Sequence, residues 1–162
     1  MKLSILILED EPEVRSSLER DLLPLVPTVR IEPAEDVADA WETITDIERE
    51  GDRLALALCD HRLPGTSGVD FMIQLTGNES TEETRKVLVT GQADLEDTVR
   101  AVNNADLDHF IAKPWAEKEL QDIVREQLTN YVIACGINPL PFMDVLDQPR
   151  ALNAMREFGR AD

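Results

Sequence analysis

The sequence predicts an α/β protein built on a five-stranded, parallel, doubly wound sheet of the flavodoxin-like kind, in strand order 2-1-3-4-5. Short apolar runs without alternation, such as LALALC at 54–59, read as strands buried on both faces. Between them lie stretches whose apolar residues recur at helical spacing, which gives strands and helices in alternation. Right-handed crossovers then leave few arrangements, of which 2-1-3-4-5 is the commonest small one. Each run also stops abruptly on a polar residue, so one rim of the sheet gathers polar groups.

Residues 1–8 (MKLSILIL) form the first expected strand, ended by Glu9, Asp10 and Glu11. Pro12 suits a first helical position, and Val14, Leu18 and Leu22 recur at four-residue intervals, so a helix is expected over 12–23, stopped by Pro24 and Pro27. A short second strand follows at 28–31, with Val29 and Ile31 on one face. Asp36 caps a second helix in which Val37, Ala40, Trp41, Ile44 and Ile47 share a face, ending near Gly51. The central strand, 54–59, runs into Asp60 and then into a loop holding Pro64, Gly65, Ser67 and Gly68.

A third helix over 69–75 turns Phe71, Met72 and Leu75 inward, and 77–85 is a polar loop. Residues 86–90 (KVLVT) make the fourth strand, ended by Gly91. The fourth helix, 95–104, has few apolar residues, Leu95, Val99 and Val102, so its outer side is expected to be wet. A fifth strand at 109–112 is closed by Lys113 and Pro114. The fifth helix, 116–134, carries Leu120, Ile123, Val124, Leu128 and Val132 at helical spacing, with Gly136 as its stop. Residues 1–134 are therefore expected to be one domain, and 135–162 a short helical extension or a linker to a further region. That tail could pack back on the domain, pair with a second copy or lead onward.

Apolar residues make up 43% of the chain, enough for a core, and no run approaches the roughly 20 residues of a membrane span. The opening apolar run stops at acids and has no small-residue cleavage site, so a cytoplasmic location is expected. Cys59 and Cys135 lie far apart and read as two reduced core thiols. A net charge of -17 and a pI near 4.4 speak against nucleic-acid binding by this segment and suit divalent cations and basic protein surfaces. His61 and His109 lack a third partner at metal spacing and take solvent or packing roles, while Trp115 is packed or partner-facing.

The strand ends bring Glu9, Asp10, Asp60, Thr90 and Lys113 to one rim. Three carboxylates so placed repel one another and require neutralisation, which a hard cation supplies. Magnesium accepts one or two carboxylates with water and a phosphoryl oxygen, and it fits this inventory better than zinc. Lys113 adds a mobile positive charge and Thr90 a hydroxyl donor, so the set suits phosphoryl transfer to a carboxylate.

On these residues the chain resembles the receiver domains of two-component response regulators. The matching pieces are the acids of LILEDEP, the loop LCDHRLPGTSG, the hydroxyl residue of VLVTG and the Lys-Pro pair of FIAKPW, with 30 residues from Asp60 to Thr90 and 23 from Thr90 to Lys113. The resemblance implies that Asp60 is the phosphoacceptor, loaded by a histidine kinase, a phosphotransfer protein or a small phosphodonor. It implies a magnesium ion held by Glu9, Asp10, Asp60 and the backbone carbonyl of Arg62. Lys113 and Thr90 would bind the phosphoryl group, Gly91 would leave it room, and Phe110 would turn inward behind it. Lys113-Pro114 would be a cis peptide, and Arg62 and Gln92 would tune acyl-phosphate lifetime. The face of the fourth helix, fifth strand and fifth helix would then bind a partner or a second copy. Such a chain catalyses only its own phosphorylation and dephosphorylation and is not a conventional enzyme.

Two departures stand out. Glu9 replaces the more frequent aspartate, and Phe110 stands where tyrosine is frequent and cannot donate a hydrogen bond. Three rivals share the fold. An FMN carrier would need a phosphate loop where LILEDEP places negative charge, and a magnesium-dependent aspartyl-phosphate phosphatase usually has a second acid where Arg62 stands. A non-phosphorylated interaction module would not need the full acidic set.

Overall fold

The structure, a computed structural model, describes residues 1–91 and 95–160. In chain order the elements are β1 (Leu3–Leu8), α1 (Pro12–Leu22), β2 (Val29–Ala34), α2 (Val37–Arg49), β3 (Arg53–Cys59), α3 (Gly68–Thr76), β4 (Arg85–Thr90), α4 (Leu95–Asn104), β5 (His109–Ala112), α5 (Glu117–Ala134) and α6 (Gln148–Arg160). The strands form one parallel sheet in the order β2-β1-β3-β4-β5, as the sequence predicts.

Alternate side chains of each central strand enter two separate cores. Leu3, Ile5 and Ile7 of β1 join Leu18 and Leu22 of α1 and Leu120, Val124 and Leu128 of α5, while Leu6 and Leu8 join Ile44 of α2 and Phe71 of α3 on the other face. With both faces covered, the strand positions are mostly apolar, with Ser4 of β1 and Lys86 of β4 as buried exceptions, and the strands read as largely apolar runs. Asp36 caps α2 by accepting a hydrogen bond from the Asp39 N–H at 2.8 Å, and Ser67 caps α3 through Asp70 at 3.1 Å.

Two expectations need correction, on strand β2 and on Cys135. Strand β2 continues through Pro33 to Ala34 rather than ending at 31, which an edge strand permits because one side of its backbone needs no partner. Helix α4 has the expected range and a wet outer side: Val99 and Val102 are 51% and 54% exposed, and the buried alanines are Ala101 on the helix and Ala105 just past its end; the side chain of Leu95 lies outside the described residues. Cys59 is a core thiol, but Cys135 sits half-buried just past the end of α5. The segment after α3 is the expected polar loop, tied down by the buried hydroxyls of Thr81 and Thr84, which donate to the carbonyls of Leu75 and Leu54, both at 2.8 Å.

The C-terminal residues pack back on the domain. After α5 a 3-10 turn, Leu140–Val145, leads to α6, and Phe142, Val145, Leu146 and Ala151 enter the core beside α1 and α5. Arg125 Nη1 donates to the carbonyls of Asp144 and Leu146 at 3.0 and 3.1 Å, and the Asp147 N–H donates to Thr129 Oγ1 at 2.8 Å. These bonds satisfy backbone groups that the 3-10 turn leaves open. Among the described residues no helix is long and apolar enough to cross a membrane.

Candidate functional site

The acids are fixed by the sheet. The Glu9 N–H donates to Ala34 O at 3.0 Å and the Asp60 N–H to Leu8 O at 2.9 Å, so the ladder continues one residue past β1 and β3 and sets both backbones. At the other edge the Lys113 N–H donates to Thr90 O at 2.9 Å. Glu9, Asp60 and Thr90 are buried, and each offers its polar side chain at the carboxyl rim of the strands.

Carboxylate oxygens of Glu9, Asp10 and Asp60 all lie within 4.8 Å of one another. Lys113 Nζ donates to Glu9 Oε2 at 3.0 Å and stands 3.4 Å from Asp60 Oδ1. The other oxygen of Glu9 accepts the Glu11 N–H at 3.2 Å, and Arg15 Nη1 holds the Glu9 carbonyl at 2.8 Å. Burial pushes the Glu9 carboxyl above its ordinary range, helped by the charge of Asp60, and the Lys113 hydrogen bond reverses only part of this. Burial alone would lower Lys113, but its bond to Glu9 and the charges of Asp60 and Glu9 outweigh that and hold it above its usual value.

One ammonium against three carboxylates leaves an excess of negative charge. At such separations each carboxylate pair repels by about 3 kcal/mol at an effective dielectric of about 20. Asp10 Oδ1 is buried with no hydrogen-bond partner among the described residues, and a lone acceptor among acids suits a hard cation rather than a donor group. The residues present therefore fit magnesium, with Glu9, Asp10 and Asp60 as its oxygen donors.

The loop from Asp60 to Gly68 is closed tightly. The Gly68 N–H donates to His61 O at 3.0 Å, and a Cβ at Gly68 would lie 1.8 Å from the Asp60 carbonyl oxygen. No other residue fits there. Sequence reading placed Gly68 in a turn and missed this approach; the available signal was a glycine at the first position after the Ser67 cap.

His61 also has a defined partner, since its Nε2 lies 2.9 Å from Asp97 Oδ2 on α4. Nothing in local sequence pairs those two positions. A Cβ at Gly91 would meet nothing within 4 Å, so the space beside Thr90 is open, and Lys113-Pro114 is cis. Arg62 lies exposed on the loop, Gln92 lies outside the described residues, and Phe110 stands 52% exposed on the edge strand β5, turned outward in this structure. Trp115 is packed, its indole N–H donating to Asp21 Oδ2 at 2.9 Å.

Compared with known proteins, residues 5–125 match the family described as the response regulator receiver domain. The hydrogenase transcriptional regulatory protein HoxA of Cupriavidus necator is 36% identical over 73 residues, covering 45% of this chain and 15% of that protein. The response regulator Rre1 of Synechocystis is 24% identical over 152 residues, 93% of this chain and 63% of that protein. A solved CheY-like receiver domain protein from Methanospirillum hungatei superposes with a TM-score of 0.68 at 26% identity, over 81% of this chain and 97% of its own. The chain spans 15% and 18% of the two HoxA proteins and 28% of the phosphate regulon regulator PhoB of Escherichia coli.

Proposed function

This chain belongs to the response regulator receiver domain family, the receiving module of two-component signalling, and from that premise we propose that Asp60 is its phosphoacceptor. The observation that carries the proposal is the convergence of Glu9, Asp10 and Asp60 within 4.8 Å, with Lys113 Nζ 3.4 Å from Asp60. One Asp60 oxygen attacks the phosphorus of a phosphohistidine or of a small acyl phosphate. The bond from phosphorus to the donor nitrogen or oxygen breaks, the donor leaves with its electron pair, and Asp60 becomes an acyl phosphate.

Glu9, Asp10, Asp60 and the Arg62 carbonyl would hold a magnesium ion, which when bound would supply charge neutralisation for the incoming phosphoryl oxygens. Lys113 leaves Glu9 for the phosphoryl group and keeps its charge there. The Thr90 hydroxyl turns to the same group, the open side of Gly91 admits it, and Phe110 moves from its exposed position into the space behind Thr90. Arg62 and Gln92 flank the acyl phosphate and set how readily water reaches it. The surface of α4, β5 and α5, which carries the exposed Val99, Val102 and Phe110, then changes shape for a partner or a second copy.

The phosphoryl donor is a histidine kinase or a phosphotransfer protein, and any output region lies outside this chain. Residues 1–134 form the receiver and 135–162 its extension. The protein works in the cytoplasm as a signalling switch, with no turnover beyond its own loading and unloading. Incubation with acetyl phosphate and magnesium tests this. Wild-type protein is expected to take up acid-labile phosphate and Asp60→Asn to take up none; equal uptake by the two would refute the assignment.

A further inference from the structure

Among its described side chains, helix α4 offers the rest of the molecule little apolar surface. Its buried residue is Ala101, followed by Ala105 just past its end, and Val99 and Val102 face solvent. Methyl groups bury small areas, so packing by these residues is a weak grip compared with that of α5, which buries Leu120, Ile123, Val124, Leu128 and Val132. Two polar ties run sideways from it instead. His61 Nε2 lies 2.9 Å from Asp97 Oδ2, and Asp70 Oδ1 lies 3.1 Å from Arg100 Nη1. Asp97 and Arg100 are three residues apart and so share one face of α4.

The partners of those two residues belong to the phosphoacceptor loop. His61 follows Asp60 directly, and Asp70 lies in the first turn of α3, which that loop enters. The His61 carbonyl accepts the Gly68 N–H, and Gly68 abuts the Asp60 carbonyl, so Asp60, His61 and the start of α3 are pinned to one another. A displacement of the backbone at Asp60 therefore reaches the imidazole of His61 with little loss. Asp97 in the first turn of α4 feels it next, while the pair formed by Asp70 and Arg100, one turn further on, remains as a pivot.

We propose that His61 is a positioning residue that couples the phosphoacceptor loop to α4. Its Nε2 contact with Asp97 fixes the first turn of the helix in the resting form, and rearrangement of the loop when Asp60 is loaded breaks that contact and frees the helix. This rests on the assignment of Asp60 as phosphoacceptor. His61 touches neither donor nor phosphoryl group in this scheme and acts only through Asp97.

Amide hydrogen exchange of α4, followed together with acetyl phosphate uptake, tests the coupling. In the unphosphorylated protein His61→Ala and Asp97→Ala are each expected to speed exchange in α4 by about fivefold, and the double variant by no more than either single one. His61→Gln, which keeps an N–H donor near the Nε2 position, is expected to restore slow exchange. Wild-type α4 should approach the rates of the single variants once phosphate is taken up. Exchange within about twofold of wild type in both single variants, or additive effects in the double variant, would overturn the tie. Uptake of phosphate by the wild type with no change in α4 would overturn the coupling while leaving the role of Asp60 intact. No uptake by the wild type would overturn the Asp60 assignment and the coupling with it, and the variants would then report on the tie alone.

Discussion

Glu9 is the acid whose surroundings are most informative. It has no exposed surface, one of its oxygens holds Lys113 at 3.0 Å, and burial raises its affinity for a proton. Because its folded value lies above its unfolded one, its contribution to stability is present in acid and is lost as the pH rises through the folded value. At neutral pH the ionised Glu9 is thus a local cost, which a bound cation relieves. Magnesium affinity is therefore expected to be full near neutrality and to weaken as the pH falls into the raised range of Glu9, because protons compete for the same oxygen. Calorimetric titration between about pH 5 and pH 7.5 measures this, and an affinity independent of pH would contradict it.

Gly68 makes a second point at this scale. A methyl group there collides with the Asp60 carbonyl at 1.8 Å, a backbone atom that cannot swing away. Gly68→Ala is expected to destabilise the fold by about 2–4 kcal/mol in urea unfolding and to depress phosphate uptake as well. A neutral outcome on both would show that the loop is not closed as described. Asp60, Glu9, Thr90 and Lys113 could be recognised in the sequence because each follows an apolar run whose end is fixed by the sheet. Gly68 and the contact between His61 and Asp97 could not, since they depend on how a loop folds back on itself and on a helix 36 residues away.

Among the elements, those with strong apolar periodicity showed their inward faces in the sequence, and α4, without it, did not. Helix α5 buries Leu120, Ile123, Val124, Leu128 and Val132, the residues its spacing singles out. Helix α4 has the expected range and wet outer side, but its buried Ala101 stands apart from the exposed valines and is not singled out by so weak a pattern. Its exposed Val99 and Val102, like the exposed Phe110 of β5, are apolar residues of the surface proposed for partner binding. Beryllofluoride with magnesium is expected to shift the backbone amide resonances around Thr90 and Phe110. No change at saturation would argue against a switch that uses this surface.

The segment after α5 was ambiguous in sequence because its two short apolar groups suit a core or an interface equally. Phe142 is buried against α1 and α5, and Phe142→Ala is expected to cost about 3–5 kcal/mol in urea unfolding. A loss below about 1 kcal/mol would mean that the tail contributes little to the domain.

For the molecule as a whole, the charge of -17 is spread along the chain, and it bears on cation binding where Glu9, Asp10 and Asp60 converge at the rim of the sheet. Binding of a divalent cation to the folded form alone stabilises it by about 2.7 kcal/mol when the ion is near a hundredfold above its dissociation constant. For a chain of this size the thermal midpoint is then expected to rise by roughly 5–10 °C. The rise should shrink strongly in Asp10→Asn, which removes one ligand and part of the repulsion together. The two-sided cores and the order 2-1-3-4-5 follow from the alternation of buried strands and amphipathic helices, and so were predictable at this scale. The docking of the C-terminal segment was not, because it depends on hydrogen bonds donated by Arg125 and accepted by Thr129 that have no sequence signature.

The most direct measurement is chemical trapping of the phosphorylated side chain. Borohydride converts an aspartyl acyl phosphate to homoserine, and peptide mapping then identifies the residue that carried the phosphate. After treatment with acetyl phosphate and magnesium, homoserine is expected at position 60 and nowhere else. Homoserine at another aspartate, with Asp60 recovered unchanged, would contradict the account.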